Sequence, residues 1–195
     1  QLTRWAFDRG LRDLASLQQA HAGLTMSINI SARDLISGQL RELLEGLLDR
    51  HGVAAGRLSV ELTETAAMED PDRGWTALQE LADLGVGVSI DDFGSGYSSL
   101  SYLKQLPASE VKLDQSLVKD VCGSESSRVI VQTAVNMAHG LGYEIVAEGV
   151  EDEDTARVLQ GVGCDRLQGY WLCHPLPLAS LRDWLASPQD VLSQK

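Results

Sequence analysis

The chain has 195 residues, of which 44% are hydrophobic, enough for one large domain or two small ones with a substantial core. Its formal net charge of -12 excludes the basic surface that coats DNA or RNA, although it allows a small phosphate ligand held through metal ions. The three cysteines form no CxxC pair, which indicates free thiols rather than a disulfide framework or a zinc site.

Six strand-then-helix units are predicted along the chain. The predicted strands are residues 25–28, 58–60, 86–90, 110–114, 144–147 and a strand within 165–170. The predicted helices are residues 2–20, 31–51, 70–84, a short one from Ser98 to Leu106, 124–141, one opening at Asp152, and 178–185. Ser31 and Asp70 are typical helix caps, and Gly52 and Gly85 are typical helix ends. This alternation indicates a parallel sheet covered by helices, either an open doubly wound sheet or a (β/α) barrel.

Each predicted strand ends at a side chain that can bind a cation or a substrate. These side chains are Asn29, Glu61, Asp91 with Asp92, Lys112 with Asp114, Glu148 and Gln168. In an open sheet six strand ends lie along a line, whereas in a closed barrel they surround one mouth. The pattern therefore favours a barrel. Its carboxylates would protonate or repel one another without cations, and oxygen ligands favour Mg²⁺ or Mn²⁺ over zinc.

Divalent ions held by carboxylates act on phosphate esters or enolates. Two ions about 3.5–4 Å apart would bind both the attacking and the leaving oxygen of an in-line displacement. Lys112 would orient or deprotonate the attacking water, or stabilise the transition state as an ammonium. Asn29 has an alternative role as a helix cap, and Asp114 is predicted to support Lys112 rather than to bind metal. The predicted metal ligands from these residues are Glu61, Asp91, Asp92 and Glu148.

A series of motifs, in chain order, resembles the EAL-domain family of bacterial signalling proteins. The motifs are SINIS, VELTET, DDFGSGYSSL, VKLD, AEGVE and QGYWL, and together they cover nearly the whole chain. The resemblance implies a TIM-type barrel with one antiparallel strand, which hydrolyses cyclic di-GMP to linear pGpG with two Mg²⁺ or Mn²⁺ ions. It also implies a homodimer in the cytoplasm, joined to other signalling domains in a parent chain with or without a membrane anchor.

The resemblance assigns expected roles to individual residues. Asn29, Glu61 and Asp91 are implied ligands of one ion, and Asp92 and Glu148 serve the other. Lys112 and Gln168 act on the waters and metals, so that Lys112, Glu148 and Gln168 form the implied catalytic set. Glu64 and Glu151 are either solvated or stabilise the loop from Phe93 to Ser98. The implied substrate contacts are Asn29, Asp92, Phe93, Gly94 and Pro175.

One departure from the family pattern is clear. No Glu-Ala-Leu tripeptide occurs in the chain, and the strand that carries it, with a further metal-binding glutamate and an arginine, should lie upstream of the first helix. We therefore expect an EAL-type barrel over residues 1–188, with about six of eight strands and its N-terminal strands missing, and a frayed tail over 189–195. The 195-residue chain alone is expected to be inactive or barely active, whereas its parent is expected to be competent.

Two alternatives remain open at this stage. The first is a receptor of the same fold that binds cyclic di-GMP without cleaving it. The second is an enolase-type barrel, in which Mg²⁺ and a lysine abstract a proton from carbon. The second alternative is weaker, since nothing in that chemistry needs paired aspartates followed by a glycine loop.

Overall fold

The computed structural model describes residues 2–94 and 100–186. The strands are β1 (Met26–Asn29), β2 (Leu58–Thr63), β3 (Gly87–Phe93), β4 (Glu110–Leu113), β5 (Glu144–Ala147) and β6 (Arg166–Leu167). The longer helices are α1 (Leu2–Gln18), α3 (Leu40–His51), α5 (Pro71–Leu84), α8 (Glu125–Leu141), α9 (Glu153–Gly161) and α10 (Leu178–Ala186). The short helices are α2 (Ala32–Leu35), α4 (Glu64–Met68), α6 (Leu100–Leu103) and α7 (Gln115–Val118), with a 3-10 turn at Ala55–Arg57.

The six strands form one sheet in the order in which they occur along the chain, and every neighbouring pair is parallel. Helical segments connect consecutive strands, and the sheet forms a half-barrel. The predicted class, an α/β barrel with six of its strands present, is confirmed. The antiparallel strand that the family resemblance implies is not among these six. Parallel order brings all carboxyl ends of the strands to the same edge, which is the edge with the polar side chains.

The core lies between the convex face of the sheet and the helices. In β4, Val111 and Leu113 are fully buried within the hydrophobic core, and Lys112 lies between them in sequence. Since successive side chains of a strand point to opposite faces, Lys112 faces the concave side of the sheet. From α1, Leu11 and Leu14 belong to the same core. The concave face therefore carries the polar residues, and the convex face supplies most of the hydrophobic burial.

Local sequence signals fix most helix ends. Ser31 and Asp34 form the predicted capping box at the start of α2. Asp70 caps α5, and Gly85 ends it in the left-handed conformation that glycine adopts without strain. The prediction of one helix over residues 31–51 is wrong, because the chain is interrupted near Gly38, which has a φ of +71°, and forms the separate helices α2 and α3.

The third strand also differs from its prediction. It continues beyond residue 90 to Phe93, so Asp91 and Asp92 belong to the strand, and its register with β4 shifts between Ile90 and Phe93. The expected helix start at Ser98 and Ser99 and the expected tail over 189–195 lie outside the described residues. None of the helices in the two described ranges is long and apolar enough to cross a membrane.

Candidate active site at the carboxyl ends of the strands

The site is built around the side chain of Lys112, which is only 4% exposed. Its Nζ atom lies 2.5 Å from Oε1 of Glu148, 3.1 Å from Oε2 of Glu61 and 4.0 Å from Oδ1 of Asp91. Glu61 belongs to β2, Asp91 to β3 and Lys112 to β4, and Glu148 directly follows β5. Four neighbouring strands therefore bring one ammonium and three carboxylates together, as predicted for residues at the carboxyl ends of parallel strands.

The cluster holds more negative charge than its one lysine neutralises. Burial lowers the pKa of Lys112, but the hydrogen bond to Glu148 and the charges of Glu61 and Glu148 outweigh it and raise the pKa to about 12. Burial raises the pKa of Glu148, and repulsion from Asp91 and Glu61 adds to this rise against the attraction of Lys112. The carboxylates together stabilise the charged form of Lys112 more than burial destabilises it. For Glu148, burial and the repulsion from Asp91 and Glu61 outweigh the attraction of the one ammonium. A second cation would relieve this remaining repulsion.

Asp91 and Asp92 are the paired carboxylates of the third strand. The backbone N–H of Asp92 donates to Oδ1 of Asp91 over 2.9 Å, and Asp92 has a φ of +57°. A left-handed backbone at a non-glycine residue is uncommon and marks a constrained position. Burial, followed by the charges of Asp91 and Asp114, raises the pKa of Asp92. This aspartate therefore lies at the same carboxyl edge and shares its excess of negative charge.

Asn29 and Gln168 lie at the carboxyl ends of the two outermost strands, β1 and β6. Asn29 is the last residue of β1, is exposed, and is paired in register with Glu61. Gln168 directly follows β6, and its backbone N–H donates to the carbonyl oxygen of Ala147 over 2.8 Å. The structure thus places both residues at the carboxyl edge, on either side of the Lys112 cluster.

Two predicted residues have surroundings that the sequence did not suggest. The side chain of Phe93 is 2% exposed within the hydrophobic core, because the register shift between Ile90 and Phe93 turns it to the convex side, and its expected contact with substrate stays a prediction. The Oδ1 atom of Asp114 accepts a hydrogen bond from the backbone N–H of Ser116 and caps α7, and its expected support of Lys112 stays a prediction. The side chains that contact Lys112 directly are the three carboxylates.

The remaining predicted residues lie around the cluster. Glu64 is 8% exposed at the first position of α4, whereas Glu151 is exposed after β5. Gly94 is exposed and follows β3 with a φ of +88°. Pro175 is exposed on the loop that precedes α10. The loop that Glu64 and Glu151 were expected to stabilise lies largely outside the described residues, so this role stays a prediction.

Two cavities flank the Lys112 cluster. The first has a volume of about 540 Å³, and Glu148, Glu151, Gln168 and Pro175 are among its lining residues. The second has a volume of about 840 Å³ and is lined by residues that include Thr63, Glu64 and Asp92. Each cavity thus reaches a carboxylate of the site. A ligand that spans the cluster could place one end in each cavity.

Sequence reasoning missed a second polar network on the concave face, nearer the amino ends of the strands. Glu110 accepts a hydrogen bond from Oγ of Ser89 over 2.7 Å and pairs with Arg166, which also pairs with Glu144. The signal was the alternation of charged and hydrophobic residues in Glu-Val-Lys-Leu over 110–113, which places Glu110 on the same face as Lys112.

The donor set fits a divalent cation. Glu61, Asp91, Asp92 and Glu148 supply carboxylate oxygens, Asn29 supplies an amide oxygen, and such ligands suit a hard ion. Across residues 2–94 and 100–186, no three histidine, cysteine or acidic side chains are already gathered around a common ion position. The Lys112 ammonium lies in the middle of the carboxylates as their counter-ion. Burial and the repulsion from neighbouring carboxylates raise the pKa values of Glu148 and Asp92 despite this counter-ion.

Fold and site together define a parallel β/α half-barrel with an acidic cluster at the carboxyl ends of its strands. Residues 1–175 match the family model of the EAL domain, and the chain belongs to this family. Its relative NbdA from Pseudomonas aeruginosa, a cyclic di-GMP phosphodiesterase, is 40% identical over 186 residues, which are 95% of this chain and 24% of NbdA. The chain spans about a quarter to a third of the length of such curated relatives.

Solved structures of EAL proteins agree with this assignment. The Pseudomonas aeruginosa MucR phosphodiesterase in its c-di-GMP complex is 38% identical, with a TM-score of 0.87 over 93% of this chain and 74% of that one. Klebsiella pneumoniae BlrP1, in a calcium and cyclic di-GMP complex, is 30% identical, with a TM-score of 0.75 over 86% of this chain and 43% of that one. EAL phosphodiesterases thus combine this fold with divalent metal and a cyclic dinucleotide.

Proposed function

We propose that the protein containing this domain hydrolyses cyclic di-GMP to linear pGpG with Mg²⁺ or Mn²⁺. The observation that carries the proposal is the convergence of Glu61, Asp91 and Glu148 on Lys112 between two cavities. The cyclic di-GMP phosphodiesterases among its relatives support the same reaction.

The acidic residues would hold the metal ions. Asn29, Glu61 and Asp91 are the candidates for one ion, and Asp92 and Glu148 are the candidates for a second. When bound, such ions activate a water molecule and neutralise charge on the phosphate oxygens. Mg²⁺ and Mn²⁺ suit this set because every donor is an oxygen atom.

Lys112 has a different task from the carboxylates. With its pKa raised to about 12, its side chain stays an ammonium at neutral pH, so it is a poor proton acceptor. It is well placed to orient the attacking water and to stabilise charge on the phosphate. We assign proton acceptance to Glu148, because burial raises the pKa of this carboxyl above its usual range.

The reaction then balances in one displacement. The oxygen of water forms a bond to phosphorus, and the bond from phosphorus to one ribose 3′-oxygen breaks. One proton of the water passes to Glu148. The leaving 3′-oxygen takes a proton from solvent water to become a hydroxyl, and Glu148 then releases its proton to solvent. Gln168, beside Glu148 on the lining of the first cavity, would position the water or the phosphate.

The two cavities support a substrate with two arms. Cyclic di-GMP carries a guanine base on each side of its phosphodiester ring, and one base per cavity would leave a phosphate near Lys112. Pro175 on the first cavity and Asp92 on the second are candidate substrate contacts, together with Asn29 and Gly94 at the carboxyl edge. We also propose, from the family resemblance alone, that the domain acts as a homodimer. Because its expected substrate is an intracellular messenger and its relatives are longer chains, we propose that it belongs to a longer cytoplasmic signalling protein.

The test uses the full-length protein, incubated with cyclic di-GMP and either Mg²⁺ or Mn²⁺, with pGpG measured by chromatography. We expect turnover that a chelator abolishes and that Glu61→Gln reduces by several orders of magnitude. Tight binding with no cleavage after prolonged incubation would replace the proposal with a receptor function. Absence of both binding and cleavage would refute it entirely.

A further inference from the structure

The first cavity contains a polar group that the proposed mechanism does not use. Gln115, the first residue of α7, is exposed and lines this cavity together with Glu148 and Gln168. Its position follows from Asp114, which caps α7 and directs the chain across the carboxyl edge of the sheet. A carboxamide at this point can both donate and accept hydrogen bonds.

The lack of a side chain at Gly149 leaves room for the Gln115 side chain beside the site. Gly149 directly follows Glu148 and has a φ of +68°. A Cβ atom on Gly149 would lie 2.7 Å from Cβ and 3.5 Å from Oε1 of Gln115. The absence of a side chain at Gly149 therefore allows Gln115 to lie over the backbone next to Glu148.

The carboxamide of Gln115 is available to a ligand. Within the described part of the chain, this side chain takes part in no hydrogen bond. Another wall of the same cavity carries an aromatic pair, Tyr170 and His174, whose ring centroids are 4.2 Å apart with an interplanar angle of 32°. Tyr170 is 57% exposed, so part of its ring area is free to pack against a flat ligand.

We propose that Gln115 is a substrate-binding residue that hydrogen-bonds to the edge of one purine base, which packs beside the Tyr170–His174 pair. Aromatic packing and edge hydrogen bonds are how proteins recognise unpaired bases. Gln115 then selects and anchors the base, while Glu148 and Lys112 act on the phosphate. The inference rests on the proposed function, because it takes the substrate to be a purine dinucleotide.

The experiment compares the full-length protein with its Gln115→Ala variant. We expect the Kd and the KM for cyclic di-GMP to rise about three- to tenfold, which corresponds to one or two lost hydrogen bonds. The kcat at saturating substrate and the increase in melting temperature on adding Mg²⁺ should stay unchanged, because the variant leaves the acidic side chains around Lys112 intact. Gln160→Ala, an exposed glutamine on α9, is the matched control and should leave all of these values unchanged.

A second substrate separates base recognition from general damage. Bis(p-nitrophenyl) phosphate is a phosphodiester without a purine, so Gln115→Ala should cleave it as the unchanged protein does. An equal loss with both substrates, or no loss with cyclic di-GMP, would overturn the inference. If the unchanged protein neither binds nor cleaves cyclic di-GMP, the proposed function fails. If the unchanged protein and Gln115→Ala bind cyclic di-GMP equally well, only the role of Gln115 fails.

Discussion

Replacement of Lys112 by methionine tests whether the ammonium is the counter-ion of the acidic cluster. The variant keeps a long side chain but removes the charge that lies within 4.0 Å of Glu61, Asp91 and Glu148. Lys112 and Glu61 are 4% and 6% exposed, so water screens the remaining carboxylates poorly. We therefore expect the metal-free variant to be clearly less stable than the unchanged chain.

Two estimates bound the loss of stability. The pKa of Lys112 rises from 10.5 to about 12, which corresponds to roughly 2 kcal/mol of net favourable interaction. This stability is fully present below pH 10.5 and is lost as the pH rises through about 12. Breaking a buried ion pair costs about 3–5 kcal/mol. We favour the larger figure, because the variant also leaves three carboxylates repelling one another.

The assay is thermal unfolding in a chelator and again with excess Mg²⁺. A loss of about 3–5 kcal/mol corresponds to a melting temperature lower by about 6–20 °C for a chain of this size. The deficit should shrink with Mg²⁺, which replaces the lost charge, and also at acidic pH, where the carboxylates take up protons. Lys119→Met, at an exposed lysine, is the control. A Lys112 variant within about 1 kcal/mol of the unchanged chain in chelator would refute this reasoning.

Three further changes test the surroundings of the site. Gly149→Ala should reduce activity and stability more than Gly142→Ala does. Both positions have positive φ, but only at Gly149 would the new Cβ clash with Gln115. Turnover and urea unfolding, compared between the two variants, test this expectation. Tyr143→Phe should cost about 1–3 kcal/mol in urea unfolding, because its buried hydroxyl donates to two backbone carbonyls, and equal midpoints for the variant and the unchanged chain would contradict this. Burial alone would raise the pKa of Asp165, but the hydrogen bonds from the backbone N–H of Ile145 and from His139 lower it. Asp165→Asn should therefore destabilise the chain at neutral pH, and progressively less as the pH falls through this lowered pKa. Thermal unfolding measured across pH checks this.

The sequence was sufficient for the fold because its local signals agree with one another. Ser31 and Asp70 cap helices where predicted, and Gly52 and Gly85 end helices where predicted. The order of strands then fixes which side chains meet, since parallel strands place all their carboxyl ends together. That is why residues as distant in sequence as Glu61 and Glu148 could be predicted at one site.

What the sequence could not give are competitions between neighbouring groups. Asp114 caps α7, because Ser116 offers a backbone N–H only two residues away, and this local bond was not predicted. Phe93 follows two site residues, yet the shift of register in β3 turns it into the core. The direction of Phe93 depends on this register shift, which spacing along the chain does not encode.

The two ends of the concave face differ in how much negative charge the protein itself neutralises. Near the amino ends of the strands, the Arg166 guanidinium pairs with both Glu110 and Glu144, so this network has one negative charge in excess. At the carboxyl ends, the ammonium of Lys112 faces the three carboxylates that contact it as well as the nearby Asp92. Lys112 and Glu110 are two residues apart on the same strand and face, so the excess of negative charge grows over about 7 Å. We therefore expect a divalent ion to bind at the carboxyl ends of the strands, where the two cavities lie.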